Sequence, residues 1–416
     1  MRVLIVNTSE KTGGAAVAAH RLMDALNNHG VKAKMLVRDK ESDNISVAKV
    51  PDGLCMKWHF LWERWVIFCN NLFSRKHLFD VDIANSGYDI TRTREFREAD
   101  IIHLHWTNQG FLSLKGLEKI FRSGKPVVWT MHDMWACTSI CHHAHGCDHF
   151  HASCGDCRFL RFPKTNDLSH KVHLQKQRIM KDAPLQVVAV SSWLAQQASC
   201  SSLLRDKPIT VIPNTLSLER FHLSDRSDMR SLLHISSKYV VLFGAARIDA
   251  PIKGLDYLLQ SLRHLISNMG YKAEDLHLLL FGGVKDSACL ASIPVPYTCM
   301  GLVNDEDTLS QLYSAADVLV SSSLYETFGQ TIIEAQACGC LPVAFNNSGP
   351  SDIITHQKNG YLAEYLSVES LAQGIDWAFH AAVERRELRR GVFARYSESK
   401  IANSYITLYE QLLSKS

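Results

Sequence analysis

Two doubly wound α/β domains, each a parallel sheet flanked by helices, are what the 416-residue sequence predicts. Three observations carry this. Short runs rich in Val, Ile and Leu recur along the chain, each followed by a glycine or polar loop and then by a helical pattern. The alternation occurs twice over, once from Met1 to residue 214 and again from Tyr239 onward. The length suffices for two sizeable cores. With 46% hydrophobic and 21% charged residues the composition is that of an ordinary globular protein, and a formal net charge of +3 gives no case for nucleic acid as a partner.

The first strand, Met1-Arg2-Val3-Leu4-Ile5-Val6-Asn7, runs at once into a loop ending in Gly13-Gly14, which is not the pattern of a signal peptide. No uncharged apolar run reaches the ~18 residues that span a bilayer, so the expected location is cytoplasmic. A helix follows, with Ala15, Ala18, Ala19, Leu22 and Leu26 on one face until Gly30 stops it. Strand, glycine turn and helix make either a phosphate-friendly element or a plain tight turn. Residues 32–37 give the next strand.

The stretch 54–79 interleaves Trp58, Phe60, Trp62, Trp65, Phe68, Phe73 and Phe79 with Lys57, Arg64, Arg75 and Lys76. Rings with cations suit the headgroup level of a membrane surface. The aromatics keep to no narrow stripe, so a pair of helices packed on the first domain is the other reading. Residues 99–106 and 126–135 are strands ending in polar clusters, and in an open parallel sheet ligands gather outside the carboxyl ends. His103, His105 and His132 are therefore expected at one edge.

Five of the twelve cysteines fall between Cys137 and Cys157. In a reducing compartment such clustering suggests metal. Cys154 and Cys157 have the C-x2-C spacing of shared thiolate ligands, and Cys141 and Cys147 would complete a structural zinc site of four thiolates. His142, His143, His145, His149 and His151 are substitutes, and reduced thiols or disulfides are the alternative. Strands at 185–191 and 209–214 close the first domain, and the polar run 218–236 is the expected linker.

The second domain opens with the strand 239–244. Arg247 and Lys253 follow on its loop; Arg can grip a diphosphate as a fork while Lys adds a compact charge. After the strand 317–320 comes Ser321 to Pro350. Glu326 stands at the mouth of its loop, Phe328-Gly329-Gln330-Thr331 where a helix begins, and Glu334 eight positions after Glu326. A helix N-terminus binds phosphate or sugar oxygens, Gly329 permits close approach, and carboxylates accept hydrogen bonds from vicinal hydroxyls. The pocket implied is one for a nucleotide-sugar.

The Glu326-x7-Glu334 segment with its Ala335-Gln336-Ala337-Cys338-Gly339 continuation resembles the signature of retaining glycosyltransferase family 4, and Arg247-x5-Lys253-Gly254 matches that family's diphosphate grip. The resemblance runs from Met1 to the terminal helix. Its His-Asp-Met-Trp followed by spaced cysteines is similar to a capsular and extracellular polysaccharide (colanic-acid-type) subgroup. It implies the GT-B architecture, two Rossmann-like domains facing a central cleft. Residues 1–220, joined by the returning helix 398–416, would bind acceptor, and 221–397 the donor.

In the roles so implied, Gly13, Gly14, Phe328, Gly329, Gln330, Thr331 and Glu334 bind donor, with Glu334 on the ribose. His132, Arg247, Lys253 and Glu326 serve catalysis, and His103 and His105 lie on the acceptor side. The expected reaction moves a hexose from a nucleoside-diphosphate sugar to a hydroxyl of a glycan, carried on polyprenyl diphosphate at the inner membrane face. No cofactor is required for it, because no Asp-x-Asp stands beside Arg247 or Lys253. No carboxylate nucleophile is evident, which favours same-face attack. Pro251, Thr327 and Gln330 depart from the family pattern. A nucleotide-sugar epimerase of the same fold and a catalytically silent nucleotide-sugar-binding protein are the alternatives. Base, sugar, acceptor and oligomeric state are not legible.

Overall fold

A computed structural model of the chain describes residues 1–51 and 54–415. It forms two compact units, Met1–Asn214 with Ile401–Ser416, and Thr215–Lys400. Ser416, the end of the expected returning segment, lies outside the described residues.

The first unit is built on seven parallel strands: β1 (Arg2–Ser9), β2 (Lys32–Asp39), β3 (Val47–Lys49), β4 (Ile101–Leu104), β5 (Val127–Met131), β6 (Leu185–Ala189) and β7 (Ile209–Val211), in the order β3-β2-β1-β4-β5-β6-β7. β4, β5 and β6 are buried at every position, as strands covered on both faces must be, and this is why they read as continuous apolar runs. Helix α1 (Gly14–Asn28) sinks Ala19, Leu22, Met23 and Leu26 into one core. The terminal helix Glu398–Leu413 adds Ile401, Ala402, Tyr405, Leu408 and Tyr409 to the same core at helical spacing. Burying a side chain such as Leu408 contributes about 1.5–3 kcal/mol.

The second unit has six parallel strands: β8 (Tyr239–Arg247), β9 (Leu276–Gly283), β10 (Tyr297–Cys299), β11 (Val318–Ser321), β12 (Leu341–Phe345) and β13 (Tyr361–Ala363), ordered β10-β9-β8-β11-β12-β13. Val241, Leu278, Val320 and Val343 from its sheet and Leu258, Leu262 and Leu371 from its helices share one core.

Two expectations are corrected. The run 218–236 is no linker: it belongs to the second unit and holds the helix Arg226–Leu232. Asp317, just before β11, explains this by accepting from Arg226 Nη1 at 2.9 Å, Arg230 Nη2 at 2.6 Å and the Val240 amide at 2.7 Å. Nor is 54–79 a pair of helices. A single helix α2 (Leu54–Asn70) stops where Leu72 and Phe73 take φ of 44° and 61°, with Phe73 N donating to Phe68 O at 2.8 Å and Leu72 N to Cys69 O at 3.1 Å. That is a left-handed helix stop of the kind glycine usually makes. With no glycine there, the sequence offers no mark of it.

Candidate active site

β8 and β11 are neighbours, but the chain leaves β8 towards β9 and leaves β11 towards β12. Their carboxyl ends therefore part, and such a point is where an open parallel sheet receives ligands. Arg247 and Lys253 follow β8 there, and Glu326, the Phe328–Thr331 helix start and Glu334 follow β11.

Arg247 ends β8 with its side chain 51% exposed and its Nε 3.3 Å from Asp249 Oδ1. Asp249 is in turn held by the amides of Lys285 and Asp286, at 3.2 and 3.1 Å, just past β9. The turn Pro251–Lys253 ends at Gly254, at φ 69°. A Cβ on Gly254 would fall 2.0 Å from the Ser322 carbonyl oxygen, so only glycine lets the two loops close on each other. Ser322 Oγ donates to Gly254 O at 2.8 Å and Leu324 N to Ile252 O at 2.8 Å. Loops following β8 and β11 are thereby fastened together, and Lys253 Nζ reaches Glu326 Oε2 at 2.9 Å.

Behind Glu326, its carbonyl accepts from Gly349 N at 2.9 Å and its amide donates to Ser348 Oγ at 3.3 Å. The helix Gln330–Ala337 starts at Gly329, φ 108°, without a side-chain cap. Phe328 is buried against Tyr396, with ring centroids 5.9 Å apart, so it offers the pocket backbone only. Glu334 is 5% exposed and accepts from Tyr313 OH at 2.8 Å. Tyr313 went unnoticed in the sequence, where a tyrosine on an amphipathic helix carries no sign of its partner.

The first unit divides between β1 and β4 in the same way. Gly13, at φ 95°, and Gly14 lead into α1 with no atom within 4 Å of where their Cβ would be, and no side chain caps the helix. The histidines of this edge are arranged differently from the sequence expectation. His103 is fully buried; its Nε2 bonds Thr130 Oγ1 and its Nδ1 bonds Tyr409 OH of the terminal helix, each at 2.7 Å. With both nitrogens engaged inside the core it cannot meet an acceptor, and its acceptor-side placement is withdrawn. His105, 3% exposed, is bonded through Nδ1 to His132 Nε2 at 2.8 Å. It reaches the edge only through His132, which is half-buried. Burial holds the pKa of His132 down to about 4, opposed by neighbouring Asp133, so the ring is neutral near pH 7.

Asp133 and His142 form a second arrangement that sequence reading missed. Asp133 Oδ2 accepts from Trp106 Nε1 at 2.7 Å and pairs with His142 Nδ1 at 2.7 Å, while His142 Nε2 pairs with Asp82 Oδ2 at 2.7 Å. Asp82 also binds Arg64 of α2, which lies 3.3 Å from Glu63. Burial disfavours the charged imidazole, but the two aspartates outweigh it and lift His142 to about 10. His142 is thus committed to carboxylates and drops out as a substitute zinc ligand. Cys141, Cys147, Cys154 and Cys157 all line one cavity of about 30 Å³. Among the described residues, however, no three Cys, His, Asp or Glu side chains stand close enough together to hold a metal ion. The thiols face a common space without forming a coordination sphere, and burial pushes Cys141 and Cys157 up to about 12.

Residues 12–220, just over half the chain, match the family model described as Glycosyltransferase Family 4, and residues 225–392 match Glycosyl transferases group 1. The chain belongs to glycosyltransferase family 4. The chain is 25% identical over 240 residues, 54% of its length, to an uncharacterized glycosyltransferase of Methanocaldococcus jannaschii, and spans 60% of that relative. A 41.2 kDa protein in the cps region of Klebsiella pneumoniae is 23% identical over 83% of this chain and 88% of its own. Among solved structures, sucrose-phosphate synthase of Thermosynechococcus elongatus is similar over 100% of both chains, at a TM-score of 0.71 and 18% identity. HepE of Anabaena, in complex with UDP and glucose, is similar over 99% of this chain and 100% of its own, at 0.65 and 16%. The chain has the GT-B fold, two Rossmann-like units each on a parallel sheet.

Proposed function

We propose that this glycosyltransferase is a retaining hexosyltransferase that needs no metal for catalysis. It moves a hexose from a nucleoside-diphosphate sugar to a hydroxyl of a lipid-linked glycan, in the making of a capsular or extracellular polysaccharide. The observation that carries the reading is the Lys253–Glu326 pair, held half-exposed where β8 and β11 part, with Arg247 beside it and the Gly329 helix start behind. HepE, which holds UDP and glucose, and the Klebsiella cps-region relative support the donor class and the setting.

The roles follow from where charge develops. The bond from the anomeric carbon to the phosphate oxygen breaks with its electron pair going to the phosphate. Arg247, Lys253 and the N–H groups from Phe328 to Thr331 stabilise that growing negative charge, an electrostatic effect preset in the fold. Gly13 and Gly14, assigned to donor binding, keep the backbone at the start of α1 open to a ligand. Glu326 accepts hydrogen bonds from the sugar hydroxyls and orients Lys253, and Glu334 takes the ribose hydroxyls. The acceptor oxygen bonds the anomeric carbon from the face the phosphate leaves, its proton passing to the leaving phosphate. In the first unit, neutral His132, backed by His105, is assigned a hydrogen bond to substrate. The chain works at the inner face of the membrane; among its described residues no helix is long and apolar enough to cross one.

Glu326→Ala should abolish sugar transfer, read as release of nucleoside diphosphate, while circular dichroism and melting temperature stay those of the parent. Transfer by a Glu326→Ala, Lys253→Ala double variant would refute the site. A structural zinc at Cys141, Cys147, Cys154 and Cys157 is a separate proposal: the four thiols line one cavity, and the metal would have to draw them into the coordination sphere that their positions do not form without it. Metal analysis of the purified chain should give about one zinc per molecule. A zinc-free chain with unchanged melting would end it.

A further inference from the structure

Helix α2 is amphipathic the wrong way round for a helix at a water-facing surface. Its inner side carries charge: Glu63 is 0% exposed and accepts from the amides of Ile83 at 2.8 Å and Ala84 at 2.6 Å. Arg64, also buried, donates to Leu78 O at 2.6 Å and pairs with Asp82. These bonds fix the helix about its axis. Its outer side carries the rings: Trp58 is 57%, Trp62 40% and Trp65 52% exposed. Phe73 and Phe79 beyond it are each 63% exposed.

The tryptophans are ordered among themselves. Trp58 and Trp62 stack with centroids 5.7 Å apart, and Phe73 packs edge-on to Phe68 at 5.4 Å. Trp58, Trp62, Trp65, Phe68, Leu78 and Arg75 line a groove of about 520 Å³. With Leu61 on the same helix and Leu72 just after it also exposed, these rings make an exposed apolar cluster of the kind that marks an interaction site.

Charge selects the partner. Between residues 57 and 79 the only carboxylate is Glu63, which is buried, whereas Lys57, Arg75 and Lys76 are exposed. A second copy docking symmetrically through this face would set cations against cations. An anionic bilayer meets both features, because indole rings settle at headgroup level and cations pair with acidic lipid.

We propose that the outer face of α2 and the segment after it dock on an anionic phospholipid surface, with the groove receiving acyl chain. This deepens, and rests on, the reading of a lipid-linked acceptor. The buried chain Arg64–Asp82–His142–Asp133 ties the docked helix to the loop that carries His132.

The test is sedimentation of the full chain with phosphatidylcholine vesicles prepared with and without phosphatidylglycerol. The wild type should pellet with the phosphatidylglycerol vesicles only, with a blue shift of tryptophan emission. Trp58→Ser/Trp62→Ser/Trp65→Ser and Arg75→Glu/Lys76→Glu should each lower the bound fraction on the order of tenfold. A wild type that stays in solution with both vesicle types overturns the proposal, as do variants that pellet like the wild type. So does a wild-type dimer that the tryptophan variant turns into monomer, which would assign the face to a second copy. Melting shifts with nucleotide-sugars report on the proposed donor site, which none of these substitutions touches, and should be unchanged in both variants. Their absence in the wild type would instead undo the proposed donor, leaving the vesicle result to stand separately.

Discussion

At the carboxyl end of the second sheet, Lys253 and Glu326 bond each other at 2.9 Å with side chains 31% and 23% exposed. At the carboxyl end of the first, His103 is wholly buried and bonded inward to Thr130 and Tyr409, while His105, 3% exposed, is bonded to His132. Both are polar residues at the mouths of parallel strands. They differ in what is packed behind them: loops that bond backbone to backbone leave side chains for a ligand, whereas a helix delivering tyrosines from the end of the chain claims His103 for the fold. A strand-end position is therefore an opportunity for chemistry, and its surroundings decide whether it is taken.

The largest effect expected from this contrast is on catalysis. Lys253→Ala should lower kcat/KM by about 10²–10³, the usual loss when one preset donor to a developing negative charge is removed. Stability should fall by no more than about 1 kcal/mol, because the pair is partly solvated. A steep fall in melting temperature with activity intact would reverse the comparison.

Next is the buried network of the first unit. His142→Ala leaves Asp82 and Asp133 facing each other without the cation between them, and urea unfolding should show a loss of about 3–5 kcal/mol. The same histidine sets a pH dependence. Its pKa is raised from 6.5 to about 10, so the stability it contributes is complete below pH 6.5 and fades as pH rises toward 10, where the folded state also releases the proton. Melting temperature should decline over that window in the wild type, and the part due to His142 should vanish in His142→Gln. A parallel decline in both would remove His142 as the cause.

A smaller effect sharpens the contrast. Tyr409→Phe strands the Nδ1 of buried His103, costing about 1–3 kcal/mol, yet the folded variant should transfer sugar at the parent rate. A kcat loss without a stability loss would return His103 to the site.

The proposed donor side could be drawn from the sequence because its parts are local: Arg247 and Lys253 share one loop, and Glu326, Gly329 and Glu334 share one loop and helix. Their fastening, Gly254 against Ser322, and the Tyr313 partner of Glu334 could not, although Gly254 already stood in the recognised pattern. The first unit was legible as a fold, since β4, β5 and β6 are buried runs, but not as a site. His103 meets Tyr409 across 306 residues and His142 meets Asp82 across 60, and no local pattern encodes such pairs. Asp133 had a visible signal, its place beside His132, without a visible partner. The end of α2 was hidden for another reason: Leu72 and Phe73 adopt left-handed backbone that their side chains do not advertise.

The most direct measurement is a melting screen of the purified chain against UDP-, GDP-, ADP- and dTDP-sugars with metal chelated, repeated on Glu326→Ala and Lys253→Ala. One nucleotide-sugar should raise the melting temperature of the wild type, and both substitutions should remove the rise. A rise that persists in both variants, or one that appears only with added metal, would contradict the donor site set between β8 and β11.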